Sequence, residues 1–326
     1  MRFSQIMGNQ EILRQLREHV EKNTAFHAYL FEGPDGVGKR LAAQVFAKGL
    51  LCRHPQGGEA CDLCESCVRF TGGNHPDYHY IEPEGKSIKD QVIEEVQNQA
   101  AKKPFEGERS VFVIQQADTI TERAQNRLLK TLEEPKGNSV MILLVENIQS
   151  ILPTIQSRCV NLRFRPVDQE SIAGYLTKSL GISQAYGKMV SAFSYGSVGR
   201  AIRLGADEDF PARRERAIRC AKALGDKDGF IDFAREIQPV TDGAEAMELL
   251  DLMEYWFRDA LFLSRGIDPP LLVNQDQLPG LYEMLRKTEG GEKGRWPALM
   301  MERIEQAKTD IARNGRVSYA LKSIAL

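Results

Sequence analysis

In the first half of the chain, short apolar runs typical of strands alternate with segments of helical spacing. In the second half, only helical spacing is found. Short apolar runs that predict buried strands lie at residues 27–32, 78–81, 110–115, 139–145 and 159–164. Segments with apolar residues at helical spacing separate these runs, which is typical of a parallel sheet with crossover helices. The sequence therefore predicts an α/β domain that has a five-stranded parallel sheet with flanking helices.

Two helices of this half have recognisable ends. Asn9 precedes apolar residues at helical spacing, and we expect its side chain to cap that helix. Thr121 starts another helix, which ends before Pro135 and which we expect to lie across the sheet.

After residue 166 the pattern is helical to the end of the printed sequence. Asp168 and Ser183 each start a helical segment, and a third short segment follows Gly196. A boundary near residue 166 is therefore expected. The predicted parts are an α/β domain at residues 1–166, a small three-helix unit at residues 167–207 and a second helical domain at residues 208–326.

Composition and charge narrow the class of protein. Of 326 residues, 42% are hydrophobic and 27% charged, which are ordinary values for a globular protein. The 43 Lys and Arg residues nearly balance the 45 Asp and Glu residues, so any contact with nucleic acid must be local or shared. No apolar run reaches the roughly 18 to 20 residues of a membrane span, and residues 1–10 lack the regions of a signal peptide. We expect a cytosolic protein.

Residues 33–40, Gly-Pro-Asp-Gly-Val-Gly-Lys-Arg, follow a predicted strand and open a predicted helix, as a phosphate-binding loop must. Gly33, Gly36 and Gly38 allow backbone N–H groups to turn toward a phosphate, and Lys39 would reach the terminal phosphates. The alternative is a loop that only reverses the chain.

The residues that should hold Mg²⁺ beside this loop are replaced. Arg40 stands where a Ser or Thr hydroxyl normally helps to bind the ion, and arginine offers no acceptor. The third strand runs into the neutral amides Gln115 and Gln116, and the nearest carboxylate, Asp118, is expected to cap the next turn. We expect that ATP or ADP can bind but that hydrolysis is very slow or absent.

A cysteine cluster marks residues 52–67. Four thiolates with two short x2 spacings can surround one tetrahedral ion, and zinc is the favoured interpretation. An iron–sulfur cluster is the alternative. With four protein ligands no coordination position stays open, so the ion would hold an insertion together rather than catalyse. The expected ligands are Cys52, Cys61, Cys64 and Cys67.

Several segments together resemble the clamp-loader branch of the AAA+ ATPases. They are residues 27–31 (His-Ala-Tyr-Leu-Phe), the four-cysteine insertion, 75–77 (His-Pro-Asp), 124–135 and 157–159 (Ser-Arg-Cys). The resemblance covers about the first 205 residues, and the remainder shares only helical character. It implies an AAA+ core with a zinc-binding insertion, a helical lid at residues 167–207 and an all-α collar domain at residues 208–326.

The resemblance also implies roles for single residues. Arg158 would be an arginine finger that acts in trans on the ATP site of a neighbouring subunit, whereas a surface arginine paired with a carboxylate is the alternative. Residues 196–201 resemble the second sensor motif, with Arg200 as the candidate for nucleotide contact, although active subunits carry that arginine at the position of Gly199. Asn147 lies in the region of the first sensor or is a turn asparagine.

The function implied by the resemblance is that of a non-hydrolysing subunit of the bacterial DNA polymerase III clamp loader. Its expected partners are the gamma or tau and delta subunits, the sliding clamp and primed DNA within the assembly, in the cytoplasm and at the replisome, with no membrane. Two other functions stay open: a self-sufficient AAA+ ATPase, and a zinc-dependent module that binds DNA junctions. For the last, residues 61–69 offer only Arg69 against Asp62 and Glu65, which is little positive charge.

Overall fold

Five strands form one parallel sheet among the residues that the computed structural model describes, which are 1–135, 137–226, 228–288 and 294–325. The strands are β1 (Ala28–Glu32), β2 (Tyr78–Ile81), β3 (Ser110–Ile114), β4 (Ser139–Val145) and β5 (Val160–Arg163). Their order in the sheet is β2-β3-β4-β1-β5, so β1 lies between β4 and β5. The predicted sheet is confirmed, and each strand lies within one residue of its predicted bounds.

Helices cover both faces of the sheet because its strands are apolar on both faces. Along β1, Tyr29 and Phe31 point into one core and Ala28 and Leu30 into the other. All seven residues of β4 are buried. Burial of each large apolar side chain contributes about 1.5–3 kcal/mol. The helices of this part are α1 (Gln10–Glu21), α2 (Lys39–Leu51), α3 (Glu65–Thr71), α4 (Asp90–Ala100), α5 (Glu122–Glu133) and α6 (Pro153–Gln156).

The two predicted helix starts have different outcomes. Thr121 caps α5 as expected, since its hydroxyl accepts a hydrogen bond from the Ala124 N–H at 3.4 Å. The prediction for Asn9 is wrong. Its backbone is left-handed at φ 51°, and its side chain bonds the backbone N–H and C=O of Arg165 at 2.7 and 3.1 Å instead of capping α1.

Three helices follow the sheet, as predicted. Asp168 Oδ1 accepts the Ser171 N–H at 2.8 Å, and Ser183 Oγ accepts the Tyr186 N–H at 3.2 Å, so both residues act as helix starts. The helices are α7 (Gln169–Leu180), α8 (Gln184–Ser194) and α9 (Val198–Ala206).

The chain divides into two compact units. The first unit comprises Met1–Ile172 and Ser194–Ile202, and the second comprises Ala173–Phe193 and the described residues from Arg203 onward. The division of the chain at residues 166 and 207 into core, lid and collar stays a prediction.

The second unit is built from helices. Trp256 and Phe257 on its longest helix are fully buried, as is Phe233. Asp259, also fully buried, accepts the backbone N–H groups of Val273 and Asn274 and so fixes the turn that follows. In the part of the chain that is described, no helix is both long and apolar enough to cross a bilayer. The helices are α10 (Phe210–Leu224), α11 (Phe230–Ile237), α12 (Gly243–Ser264), α13 (Leu278–Thr288), α14 (Arg295–Ala312) and α15 (Val317–Ser323).

Candidate functional site

The loop at residues 33–38 joins the carboxyl end of β1 to the start of α2, which is the position of a phosphate-binding loop. Position 36 requires glycine, both because its φ is 72° and because neighbouring atoms leave no room for a Cβ. A Cβ there would lie 2.2 Å from Ser197 Oγ. The Gly36 carbonyl accepts a hydrogen bond of 2.8 Å from the Gly199 N–H. The segment that resembles the second sensor therefore packs directly on the loop.

Arg200, the residue of that segment expected to contact nucleotide, has its backbone close to the loop. Its N–H donates to Ser197 Oγ at 3.1 Å and lies 3.2 Å from the position of a Cβ on Gly36. The structure thus brings Arg200, Gly36 and Lys39 into one region, because Lys39 opens the helix that follows the loop.

The side chain of Lys39 folds back onto the loop at residues 33–38. Its ammonium donates to the carbonyls of Gly33 and of Pro34, the latter at 2.8 Å, and the residue is 7% exposed. Burial lowers the pKa of Lys39, while the carboxylates of Glu146, Asp35 and Asp118 oppose that shift. A phosphate at this loop would have to replace the two carbonyls as partners of the ammonium.

The expected Mg²⁺ position holds an arginine, a phenol and an amide. The Arg40 guanidinium lies 4.8 Å from the centre of the Tyr80 ring, with one nitrogen 3.6 Å from a carboxylate oxygen of Glu82. The Tyr80 hydroxyl donates to Gln115 Oε1 at 3.2 Å. A fixed positive charge beside a neutral amide disfavours a divalent cation.

Sequence reasoning missed two carboxylates near the loop, Glu82 and Glu146. Glu82 directly follows β2 and Glu146 directly follows β4. Residues after the carboxyl ends of parallel strands meet at one edge of the sheet, and this position was the available signal. The expectation that Asp118 caps the next turn is wrong: it lies within a 3₁₀ turn that has no side-chain cap, and its buried Oδ1 has no hydrogen-bond partner among the described residues. Asn147 Oδ1 accepts the Gln149 N–H at 3.0 Å, as expected of a turn asparagine.

Arg158 lies at the other edge of the sheet. It comes two residues before β5, which runs parallel to β1, so it stands at the amino ends of these strands. One nitrogen of its guanidinium pairs with Glu133 at 2.8 Å, and another donates to the Thr154 carbonyl at 2.8 Å. Its side chain is 36% exposed. The structure does not bring Arg158 to the chain's own phosphate loop.

The four predicted cysteines come together. Their sulfur atoms all lie within 4.8 Å of one another, and the Cys52–Cys64 and Cys61–Cys67 pairs are both 4.0 Å apart. Four sulfurs held 2.3 Å from a tetrahedral ion would be about 3.8 Å apart, so the donor set fits one metal ion.

Hydrogen bonds favour thiolate at one of these sulfurs. The backbone N–H groups of Leu63 and Cys64 lower the pKa of Cys61 to about 6. Burial instead raises the pKa of Cys52 and of Cys67. A bound cation would reverse that effect, because metal ions bind the deprotonated thiol.

Charged contacts attach residues 52–67, the cysteine module, to helices α1 and α2. The buried Lys48 on α2 binds Asp62 and donates to Thr71 Oγ1 at 3.0 Å. Arg17 on α1 pairs with Glu59 at 3.0 Å. His75 is no ligand in this arrangement, since its two ring nitrogens bond Ser66 Oγ and the Asp77 N–H.

Comparison with known proteins gives a consistent result. Residues 8–168 match the family described as DNA polymerase III, delta subunit. The DNA polymerase III subunit delta' of Bacillus subtilis (strain 168) is 33% identical over 264 residues, which are 80% of this chain and 79% of that relative. The delta' subunit of Pseudomonas aeruginosa is 40% identical over 136 residues, 41% of this chain and 42% of the relative. The tau subunit of Bacillus subtilis is 26% identical over 319 residues, 87% of this chain and 56% of the relative.

The share of the chain that is aligned supports the relationship as much as the percentage identity does. Residues 8–168 contain the phosphate loop, the cysteine module and Arg158, so the family match spans every site described above except Arg200. The Bacillus subtilis delta' subunit aligns along about four fifths of both chains. This chain therefore belongs to the delta-prime subunit family of bacterial DNA polymerase III.

Proposed function

We propose that this chain is a non-hydrolysing subunit of the clamp loader, and that it supplies Arg158 to the ATP site of a neighbouring gamma or tau subunit. It would complete a pentamer with delta and three gamma or tau chains, which opens the sliding clamp and places it on primed DNA. The observation that carries the proposal is the position of Arg158 at the sheet edge opposite to the chain's own phosphate loop.

The surroundings of Arg158 suit a group that acts on another molecule. A guanidinium keeps its charge at any physiological pH and can neutralise charge on a γ-phosphate. Arginine fingers contribute about 10³ to 10⁵ in rate in other nucleotidases. Both side chains of the Arg158–Glu133 pair are partly exposed to solvent. Because exposed pairs contribute only about 0.2–1 kcal/mol to stability, a neighbour's nucleotide can displace Glu133 as the partner of Arg158.

The chain's own loop supports binding of ATP or ADP without turnover. Gly33, Gly36, Gly38 and Lys39 offer the backbone and the ammonium that a phosphate needs, with Arg200 beside them. Arg40 and Gln115 supply neither the hydroxyl nor the carboxylate that would hold Mg²⁺. The same two residues weigh against a self-sufficient ATPase.

We propose zinc as the ion of the cysteine module, since four thiolates in a tetrahedral set favour it. Bound there, zinc would supply structural cross-linking of residues 52–67 and no reaction step. A role of the module in binding DNA junctions gains no support, because its cations are paired: Arg69 with Glu65, and Arg53 with Glu65 at 3.5 Å. Primed DNA and the sliding clamp are proposed as partners of the assembly, in the bacterial cytoplasm.

The test is ATP hydrolysis by a loader reconstituted from this chain, delta and gamma or tau, with the clamp and primed DNA. The chain alone is expected to be inactive. Arg158→Ala should leave assembly intact and lower stimulated turnover by roughly a third or more, because one of three sites loses its finger. Arg163→Ala is the matched control, since Arg163 is the last residue of β5, the strand that Arg158 precedes, and it also faces one carboxylate, Glu32, at 3.8 Å.

Two results would overturn parts of the proposal. Wild-type hydrolysis by an Arg158→Ala loader that assembles normally removes the finger. ATP turnover by the chain alone that is abolished by Lys39→Ala removes the non-hydrolysing role.

A further inference from the structure

A groove on the second unit is used by none of the functions above. It runs between α11, the turn at residues 238–241 and the start of α15, and encloses about 690 Å³. Clefts that bind ligands commonly measure about 300–1,000 Å³, so this groove is large enough to hold several side chains of a partner.

The floor of the groove is apolar and partly open. Ile237 and Val240 are 4% and 2% exposed, and their buried side chains form its base. Val317 is half-buried, whereas Ile231 is 67% exposed at its edge. The exposed side chain of Ile231 extends the apolar area of the cleft, and a contiguous apolar area of this kind can serve as a binding surface.

The rim of the groove carries one sign of charge. Its charged lining residues are Arg235, Arg316 and Lys322. Arg235 has a partner, since it pairs with Asp232 at 3.2 Å where both side chains are largely exposed. Neither Arg316 nor Lys322 has an ion-pair partner in the ranges that the structure describes. Two unneutralised cations therefore flank an apolar floor.

The walls indicate what shape of partner fits. Both are helices, and the lining residues belong to no strand, so an added β-strand would find no sheet edge. A groove between helices accepts an amphipathic helix whose apolar residues recur at i, i+3, i+4 and i+7. We propose that this groove binds an acidic amphipathic helix of a partner protein, with its apolar face on Ile231, Ile237 and Val317 and its carboxylates facing Arg316 and Lys322.

A nucleic acid fits the groove less well than a protein helix does. The lining residues include no aromatic side chain on which a base could stack, and the apolar floor would gain nothing from phosphates. This inference concerns the second unit alone and does not depend on the role of Arg158.

The experiment uses the full chain and a fluorescent synthetic peptide of about 14 residues, with leucines at the helical spacing above and glutamates elsewhere. Anisotropy titration should give saturable binding, and a peptide of the same composition in scrambled order should bind at least about tenfold more weakly. Arg316→Glu with Lys322→Glu should weaken binding by about tenfold at low salt and less at high salt. Ile231→Asn should weaken it by about fivefold at every salt concentration.

The matched control is Lys102→Glu with Lys103→Glu, which makes the same change of charge on exposed residues of the first unit. It should alter peptide binding by less than about twofold. Equal loss in the control and the groove variants would overturn the proposal, as would an unchanged affinity in Ile231→Asn. A single-stranded DNA oligonucleotide that binds more tightly than the peptide and responds to the same charge reversals would replace it with a polyanion site. Failure of the peptide together with self-association lost in Ile231→Asn would replace it with a second copy.

Discussion

Removing the partner of Arg158 should make the arginine more available, not less. In the resting chain Glu133 holds the guanidinium at 2.8 Å. The substitution Glu133→Gln removes the charge of this partner but keeps the size of the side chain. The hydrogen bond from Arg158 to the Thr154 carbonyl is unaffected, so the arginine stays directed to the same edge of the sheet.

The size of the effect follows from the exposure of the pair. Arg158 is 36% and Glu133 48% exposed, and exposed pairs contribute about 0.2–1 kcal/mol. Released in full, that energy changes the free fraction of Arg158 by about 1.4- to 5-fold. Because Arg158 would serve one of three sites, total turnover by the Glu133→Gln loader should rise by about 1.1- to 2.3-fold when release of the finger limits the rate at that site.

The assay is DNA-stimulated ATP hydrolysis by the assembled loader at several salt concentrations. Since salt screens the exposed pair, the ratio of variant to wild type should approach one as ionic strength rises. Glu134→Gln is the control, because Glu134 is exposed, adjacent and without an ion-pair partner in the described residues. A ratio of one or less at low salt refutes the reasoning and would assign Glu133 to positioning Arg158 rather than restraining it.

Two further predictions concern the metal and the second unit. Cys64→Ser removes one of four thiolates, so metal analysis should show a fall from about one ion per chain toward none, whereas Cys159→Ser should keep the ion. Burial is the largest single influence on Asp276 and would raise its pKa, but the hydrogen bonds and the positive charge of Arg214, together with weaker hydrogen bonds, hold that pKa below its ordinary value of 3.8. The pair's contribution is therefore present above about pH 4 and lost as pH falls through the lowered pKa. In urea unfolding, Asp276→Asn should cost about 1 kcal/mol at pH 7 and less at pH 3, and an equal cost at both would contradict this assignment.

The sheet could be predicted because its strands are continuous apolar runs. Residues 139–145 contain six apolar residues in succession, and no helical spacing competes with them. The cysteine cluster could be predicted for a similar reason, since short spacings leave few geometries open. Local patterns of this kind predict structure without any knowledge of contacts between distant segments.

Contacts between distant segments could not be predicted in the same way. Asn9 has the residue type of a cap, but its side chain binds the backbone of Arg165, which is 156 positions away. Arg40 could be recognised as a departure from a magnesium-binding loop, yet nothing in its vicinity along the chain indicates that it stacks on Tyr80. The anchoring of the cysteine module through Lys48 and Asp62 depends likewise on how α2 packs.

The contacts among Arg40, Tyr80 and Gln115 affect how such a subunit can change over evolutionary time. Serine at position 40 alone would return a hydroxyl to the loop but leave a neutral amide at the end of β3. A carboxylate at position 115 alone would lie in a region where the arginine already neutralises Glu82, and the same guanidinium would compete with a metal ion for it. Neither single step restores a metal site, so selection has no intermediate to favour. The proposed loss of hydrolysis would thereby be difficult to reverse by single substitutions, and the subunit would stay dependent on partners that hydrolyse ATP.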